Sequence, residues 1–395
     1  MDIPALQRAL AEQQLDAWLL YDFHNQNPTA VTALGLEGRM LTRRWFYLVP
    51  AKGEPVVLAH AIEQGSIPPE VPGRREKYAS WTSLREALGR LFGALPPRAR
   101  VAMEYFPQGA IPYLSRVDAG TLELLRGYGI EVVSSAELVQ AFLCRWDAAQ
   151  VASHQRALAA IDAAKDEAFD LIAAAHRRGA TIEETAVQGF LMDRFRAAQL
   201  ETDHPPIVAV NGHAGDPHYA PSAETPTPIR PGDMVLIDLW ARGTGPHDVY
   251  ADITWVGFCG DRPPEKLETI FRITAEGRDA GLAALERAHR EGRTLQGFEV
   301  DRVVRDHIAS KGFGEQFVHR TGHSIGRNVH GDGANLDDLE THDTRRLVPG
   351  LGFSIEPGIY LPDEGLGVRS EIDVFLADDG PKVFSKIQRE LVRVV

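Results

Sequence analysis

Apolar positions along the first 135 residues switch between two periods. Residues 3–14 put Ile3, Leu6 and Leu10 on one helical face, and LDAWLLYD at 15–22 then reads as a buried strand. RRWFYLVPAKGEPVVLAH (43–60) divides into two strands about a Lys-Gly turn, and SLREALGRLFGAL (83–95) returns to helical spacing. A strand over 100–105, a helix over 121–129 and a strand over 130–135 follow. Helices alternating with strands over this length predict one α/β domain.

From about Trp146 the pattern changes. Asp147 is placed to cap a long, Ala-rich helix that meets no Gly or Pro until Gly179. Thr181 followed by Glu184 has the form of a capping box and predicts a second helix through about Ala198. The segments 205–211, 233–241 and 249–258 are β-like. Glu265 to His289 and Phe298 to Lys311 are helical, and the tail is strand-rich. The change places a boundary near residues 140–150, giving domains 1–145 and 146–395, as a 395-residue chain suggests.

Composition narrows the partners. Hydrophobic content of 44% and charged content of 25% suit a packed globular protein, and a net charge of −13 argues against a nucleic-acid partner. The short basic clusters Arg43–Arg44 and Arg74–Arg75 read as solvated surface. Cys144 and Cys259 lie too far apart in sequence for a disulfide framework, which fits a reducing, cytoplasmic compartment. No signal-peptide pattern opens the chain. No segment approaches the roughly 20 apolar residues of a membrane span, so no membrane association is expected.

Candidate chemistry lies in the second domain. Asp238 sits in VLIDLWA, Asp252 in YADITWV, Glu356 in FSIEPGIY and Glu371 in VRSEIDVF. A carboxylate inside an apolar strand is costly unless paired or metal-bound, although any one of them alone could be a strand-end hydrogen-bond acceptor. Should the four converge, their mutual repulsion calls for a cation, and a divalent metal answers it; composition alone does not show that they converge. HRTGHSIGRNVHGDG (319–333) adds imidazoles, with His323 in a Gly-flanked loop where backbone can come close to a site and His330 seven residues on. NGHAGDPHYAP (211–221) adds His213 and His218 in a segment that would otherwise be a polar surface turn.

In order, these motifs run HY in a loop, LIDLWA, YADIT, HRTGHSIG, NVHG, IEPGIY and VRSEIDV. The series resembles the pita-bread metallopeptidases, which include methionine aminopeptidases, aminopeptidase P and prolidase. The N-terminal domain is similar to that of creatinase and prolidase, which favours the proline-specific branch. The resemblance implies an α/β N-terminal creatinase-like domain plus an α+β C-terminal pita-bread catalytic domain. It implies two divalent metal ions per subunit, Mn first with Co, Zn or Fe as alternatives, held by Asp238, Asp252, His323, Glu356 and Glu371. Asp252 and Glu371 would bridge both ions, and Glu356 would handle the proton of the attacking water. His218 and His330 would contact the substrate. Arg369 would either bind the substrate carboxylate or form a salt bridge that shapes the site.

The implied activity is hydrolysis of the bond before proline in Xaa-Pro dipeptides, by a cytoplasmic homodimer. Aminopeptidase P activity on longer peptides is the alternative, and a catalytically inactive peptide-binding module is the alternative of another class. Creatinase chemistry does without the metal pair, so the complete ligand set disfavours it. The sequence also departs from the family pattern. Asp238 and Asp252 are fourteen residues apart, a longer hairpin than is common, and Val249 stands where the family has Tyr. Tyr250 comes one place later, which strand alternation would turn to the opposite face. Trp255 replaces an Arg, and Gly331 an acidic residue. These changes predict an altered subgroup with its ligands intact.

Overall fold

The run Ala17–Asp22 is buried along its whole length because it lies inside a sheet. It pairs antiparallel with Trp45–Pro50 and parallel with Arg100–Met103. Val56–His60 and Arg74–Tyr78 extend one side, and Glu131–Ser134 completes six strands on the other. The sequence reading held no strand over Arg74–Tyr78. Its composition, RREKY, is that of an edge strand, whose charges face water and discourage further pairing. Helix Ile3–Glu12 starts where Asp2 accepts the Ala5 N–H (3.0 Å), and helix Trp81–Gly93 starts on a Ser80–Ser83 capping box. In this computed structural model all residues from Met1 to Val395 are described, and the strands above belong to the first of two units, Met1–Leu143 and Cys144–Val395.

The second unit opens with helix Ala148–Arg177, which runs thirty residues from an Asp147–Gln150 capping box and ends just before Gly179. Its apolar stripe, including Leu158, Ile161, Ala168 and Ile172, packs on a long hairpin of Met234–Gly243 and Ala251–Phe258. The register sets Asp238 opposite Thr254 and Trp240 opposite Asp252. Paired residues share a face and neighbours alternate, so Val235, Ile237, Leu239 and Ile253 turn toward the helix. Asp238, Asp252 and Thr254 turn the other way. A second antiparallel sheet joins Ser324–Ile325, Gly352–Ile355, Ile372–Ala377 and Gly380–Val383. Helices Glu265–Arg290 and Gly297–Ser310 pack together where Gly277 and Gly281 meet Val304 and Ile308. The Asp252 N–H donates to Asp373 Oδ2 (2.8 Å), which ties the hairpin to the second sheet.

The capping box expected at Thr181 is not formed. Ile182–Glu183 pairs with Pro228–Ile229, so the next helix begins at Glu184. The Glu184 carboxylate accepts instead from the Val210 N–H (2.7 Å) and the Tyr219 hydroxyl (2.5 Å). A tertiary pairing has outcompeted a local one.

Ile237 is fully buried on the helix-facing side of the hairpin. Ile237→Ala is expected to destabilise the protein by about 2–5 kcal/mol, read as a lower urea midpoint with unchanged slope. An unchanged midpoint would mean that this face is not packed as described.

Candidate metal centre

Four carboxylates and one imidazole converge at the face of the hairpin turned away from the helix. Asp252, His323 and Glu371 bring one ligand atom each to within 4.8 Å of one another. His323 Nε2 lies 3.3 Å from Glu356 Oε1 and 3.6 Å from Asp252 Oδ2. Ile355 pairs with Ile372 at the end of the ladder, and Glu356 and Glu371 stand immediately beyond that pair, Glu356 after Gly352–Ile355 and Glu371 before Ile372–Ala377. Asp238 reaches the group through Arg369, which ion-pairs with it and lies 3.9 Å from Glu356.

Backbone contacts fix His323. Its N–H donates to Ser354 Oγ (3.0 Å) and its carbonyl accepts the Ser354 N–H (2.9 Å). Gly322 makes this approach possible, because a Cβ there would lie 2.0 Å from the Ser354 carbonyl oxygen. The His323 Nδ1 faces the Ser324 carbonyl (3.2 Å), an acceptor only, so Nδ1 carries the hydrogen. In the neutral ring, Nε2 is then bare and points at two carboxylates. Lone pairs aimed at one another are repulsive unless a cation lies between them, and a second-sphere bond at Nδ1 is how metal-binding histidines are oriented.

The electrostatics agree. Burial, then the neighbouring carboxylates, push Asp252 and Glu371 well above the usual carboxylate range. Burial would also raise Glu356, but His323, His319 and Arg369 outweigh it and hold that carboxyl below its usual value. Burial, the largest cause, pulls His323 below its usual value. Asp252 Oδ1 and Glu371 Oε1 are buried with no hydrogen-bond partner, a costly state in a dry interior. Oxygen-rich donors with one imidazole and unpartnered buried oxygens fit a divalent metal of the Mn, Co, Zn or Fe kind.

Several supporting residues escaped the sequence reading. Thr254 donates to Glu371 Oε2 (2.8 Å) and accepts from Arg369 Nε (3.1 Å). Arg369 Nη1 donates to the Tyr360 hydroxyl (3.1 Å). His319 Nδ1 faces the Arg320 carbonyl (2.7 Å), so Nδ1 carries the hydrogen and Nε2 accepts from Tyr360 (2.7 Å). Burial pulls His319 down to about 4, which keeps this chain of donors in one direction. Asp373 holds the Asp252 N–H, and its other oxygen is unpartnered. Two-residue spacing was the available signal, since Thr254 follows Asp252 and Asp373 follows Glu371 at that interval.

The remaining candidates differ in placement. His330 stacks edge-on against His323, with ring centroids 4.4 Å apart, and its outer side is exposed. The charge of His323, then burial, pulls it down to about 4. His218 is exposed and enters none of these contacts; its backbone N–H donates to Asp216. Nearby His213 instead stacks on Tyr219 and pairs with Glu184. Arg369 is only 5% exposed, with all three nitrogens engaged. Val249 and Tyr250 precede the strand, so alternation does not govern Tyr250; both pack with Trp146, Ile325 and Val329. Trp255 faces the long helix, where Lys165 Nζ sits 3.4 Å over its ring between Asp162 and Asp166.

A buried carboxylate–imidazole cluster between two sheets offers the donor set of a divalent-metal site. The model of metallopeptidase family M24 matches residues 152–378, more than half of the chain, and the chain belongs to that family. An Xaa-Pro dipeptidase of Lactobacillus helveticus is 32% identical over 226 residues, which are 57% of this chain and 56% of that enzyme. The chain thus matches little more than half the length of that relative. Among solved structures, dipeptidase PepE from Mycobacterium ulcerans superposes with a TM-score of 0.74 at 23% identity, covering 99% of this chain and 96% of that one. An X-prolyl aminopeptidase from Caenorhabditis elegans, described as a cytosolic enzyme with a di-nuclear active site, gives 0.67 at 17% identity over 98% of this chain and 61% of that one. These likenesses establish the pita-bread fold, as expected. No helix is long and apolar enough to cross a membrane.

Because burial and the neighbouring carboxylates push Asp252 and Glu371 upward, loading Mn is expected to displace protons from the cluster. Calorimetric heats should therefore vary with the ionisation enthalpy of the buffer. Equal heats in all buffers would mean that both carboxylates were already ionised.

Proposed function

We propose that this protein hydrolyses the bond before proline in Xaa-Pro dipeptides, with two divalent metal ions per subunit, Mn first among them. The observation that carries the reading is the convergence of Asp238, Asp252, His323, Glu356 and Glu371, with buried oxygens that lack any partner, in a chain of family M24. Asp238, Asp252, His323, Glu356 and Glu371 would together hold the ions. When bound, the metals would activate water and polarise the scissile carbonyl. Glu356, held ionised by its basic neighbours, is suited to take a proton from the attacking water and pass it to the leaving nitrogen. His330, beside His323, would stabilise the oxyanion, and exposed His218 would meet the substrate from its loop.

The dipeptide preference is supported by the match of the catalytic segment to an Xaa-Pro dipeptidase. Proline removes the amide N–H on which ordinary peptidases rely, so a site selective for it recognises ring shape. A homodimer in the cytoplasm accords with the family reading and with two unpaired cysteines. Aminopeptidase P activity on longer peptides is the second reading, favoured by the likeness to the X-prolyl aminopeptidase fold.

Burial and full engagement support the reading of Arg369 as a brace for Asp238 rather than a substrate contact. Arg369→Ala is expected to weaken metal retention by roughly 10–100-fold and to lower kcat, with KM for a dipeptide little changed. A higher KM with intact metal affinity would assign Arg369 to the substrate carboxylate. For the activity itself, a matched Xaa-Pro dipeptide and its one-residue extension should be assayed before and after Mn is restored to stripped protein. Cleavage that requires metal and falls sharply on extension is expected. Faster cleavage of the longer peptide would establish the second reading, and no cleavage of either would overturn both.

A further inference from the structure

Trp240 stands two positions beyond Asp238 on the hairpin strand Met234–Gly243, and the ladder pairs it with Asp252. Neighbours alternate and paired residues share a face, so the indole lies on the face that carries the metal centre. It packs with Tyr250, Ile325 and Val329, the last two from the segment that bears His323 and His330. An indole is apolar over its rings and has a single N–H to place. Here that N–H donates to Asp203 Oδ1 (2.6 Å), in a different segment of the chain.

Asp203 sits on a short, stiff span. Leu200–Glu201 before it pairs with Arg242–Gly243, and Ile207–Val210 after it pairs with Val235–Asp238, so both ends are tied to the same strand. Pro205 and Pro206 restrict the backbone between them, and the Pro206 carbonyl accepts from Gln188 Nε2 (2.8 Å). The Asp203 side chain is 47% exposed and within electrostatic reach of both Asp252 and His330. Its charge is poorly compensated. Arg242, on the same face as Trp240, is committed to Glu201 (2.7 Å) and lies over the Tyr250 ring. Asp203 has only His204 for an ionic neighbour, with Nδ1 3.5 Å from Oδ2, and that ring is itself 76% exposed. One carboxylate oxygen is thus anchored to the indole beside the metal centre, and the other is left for a cation.

We propose that Asp203 and Trp240 form the subsite for the side chain of the residue before the scissile bond and select a cationic one, so that lysyl-proline and arginyl-proline are preferred substrates. The proposal deepens the dipeptidase reading and rests on it for the place of the scissile carbonyl at the metals. The substrate α-ammonium is joined to that carbonyl through a single carbon, whereas Asp203 is reached across an indole from the ligand Asp252. A four-carbon lysine stem suits that separation. The stem lies along the apolar ring, and the ammonium meets Asp203 Oδ2 with the indole π-face beside it.

The test begins with L-lysinamide and L-norleucinamide. Both carry the α-ammonium and an unbranched side chain, neither contains a bond before proline, and they differ in side-chain charge. Calorimetry on the Mn-loaded full chain is expected to show lysinamide binding roughly threefold to tenfold tighter. Asp203→Asn should bring the two affinities together at an unchanged melting temperature. In kinetics, lysyl-proline should lead norleucyl-proline by a similar factor in kcat/KM, carried by KM, and lose that lead in Asp203→Asn. Asp203→Lys should turn the preference toward glutamyl-proline. Equal affinity for the two amides, with both weakened together in Asp203→Asn, would assign Asp203 to the α-ammonium and overturn the proposal. A lysine preference that survives Asp203→Asn would overturn it as well. Absence of dipeptide cleavage would instead sink the dipeptidase reading, and the amide comparison would still decide the subsite.

Discussion

Like charges in a dry pocket repel, and the second unit is arranged around that repulsion. Asp238, Asp252, Glu356 and Glu371 are brought together by strands whose other faces are apolar, so folding itself forces the carboxylates into contact. One guanidinium relieves Asp238, and one hydroxyl satisfies half of Glu371. What remains, a bare imidazole nitrogen and unpartnered buried oxygens, is a deficit of hydrogen-bond partners in a dry interior. The glycine at 322, the Ser354 clasp and the Tyr360–His319 relay all serve to hold that deficit in one geometry.

Much of this was legible because strands repeat every two residues. An isolated acid in an apolar alternating run marks a face that is apolar on one side and chemical on the other, and all four carboxylates carried that mark. Asp147 announced its helix because capping is local. What escaped depended on distant partners. Thr181 had the right neighbours for a cap but lost to the pairing of Ile182–Glu183 with Pro228–Ile229. Arg74–Tyr78 looked too polar for a strand because only its edge position makes charge tolerable. His319, Tyr360 and Asp373 are ordinary in sequence and acquire meaning only from what lies across the space.

The hairpin also separates two kinds of change. Trp255 departs from the family pattern, yet it lies on the helix-facing side, where Lys165 rests on its ring between two aspartates. A cation on the helix stands against an aromatic ring on the strand, inside the layer between them. Asp252 and Thr254, on the other face, are untouched by it.

The centre draws its donors from two sheets that are joined at the Asp252–Asp373 bond. A slip of one residue in either ladder would turn an acid out of the pocket and an aliphatic side chain into it. The position of every acid in the pocket is therefore set by strand alignment, and a single hydrogen bond between the sheets ties the two alignments together.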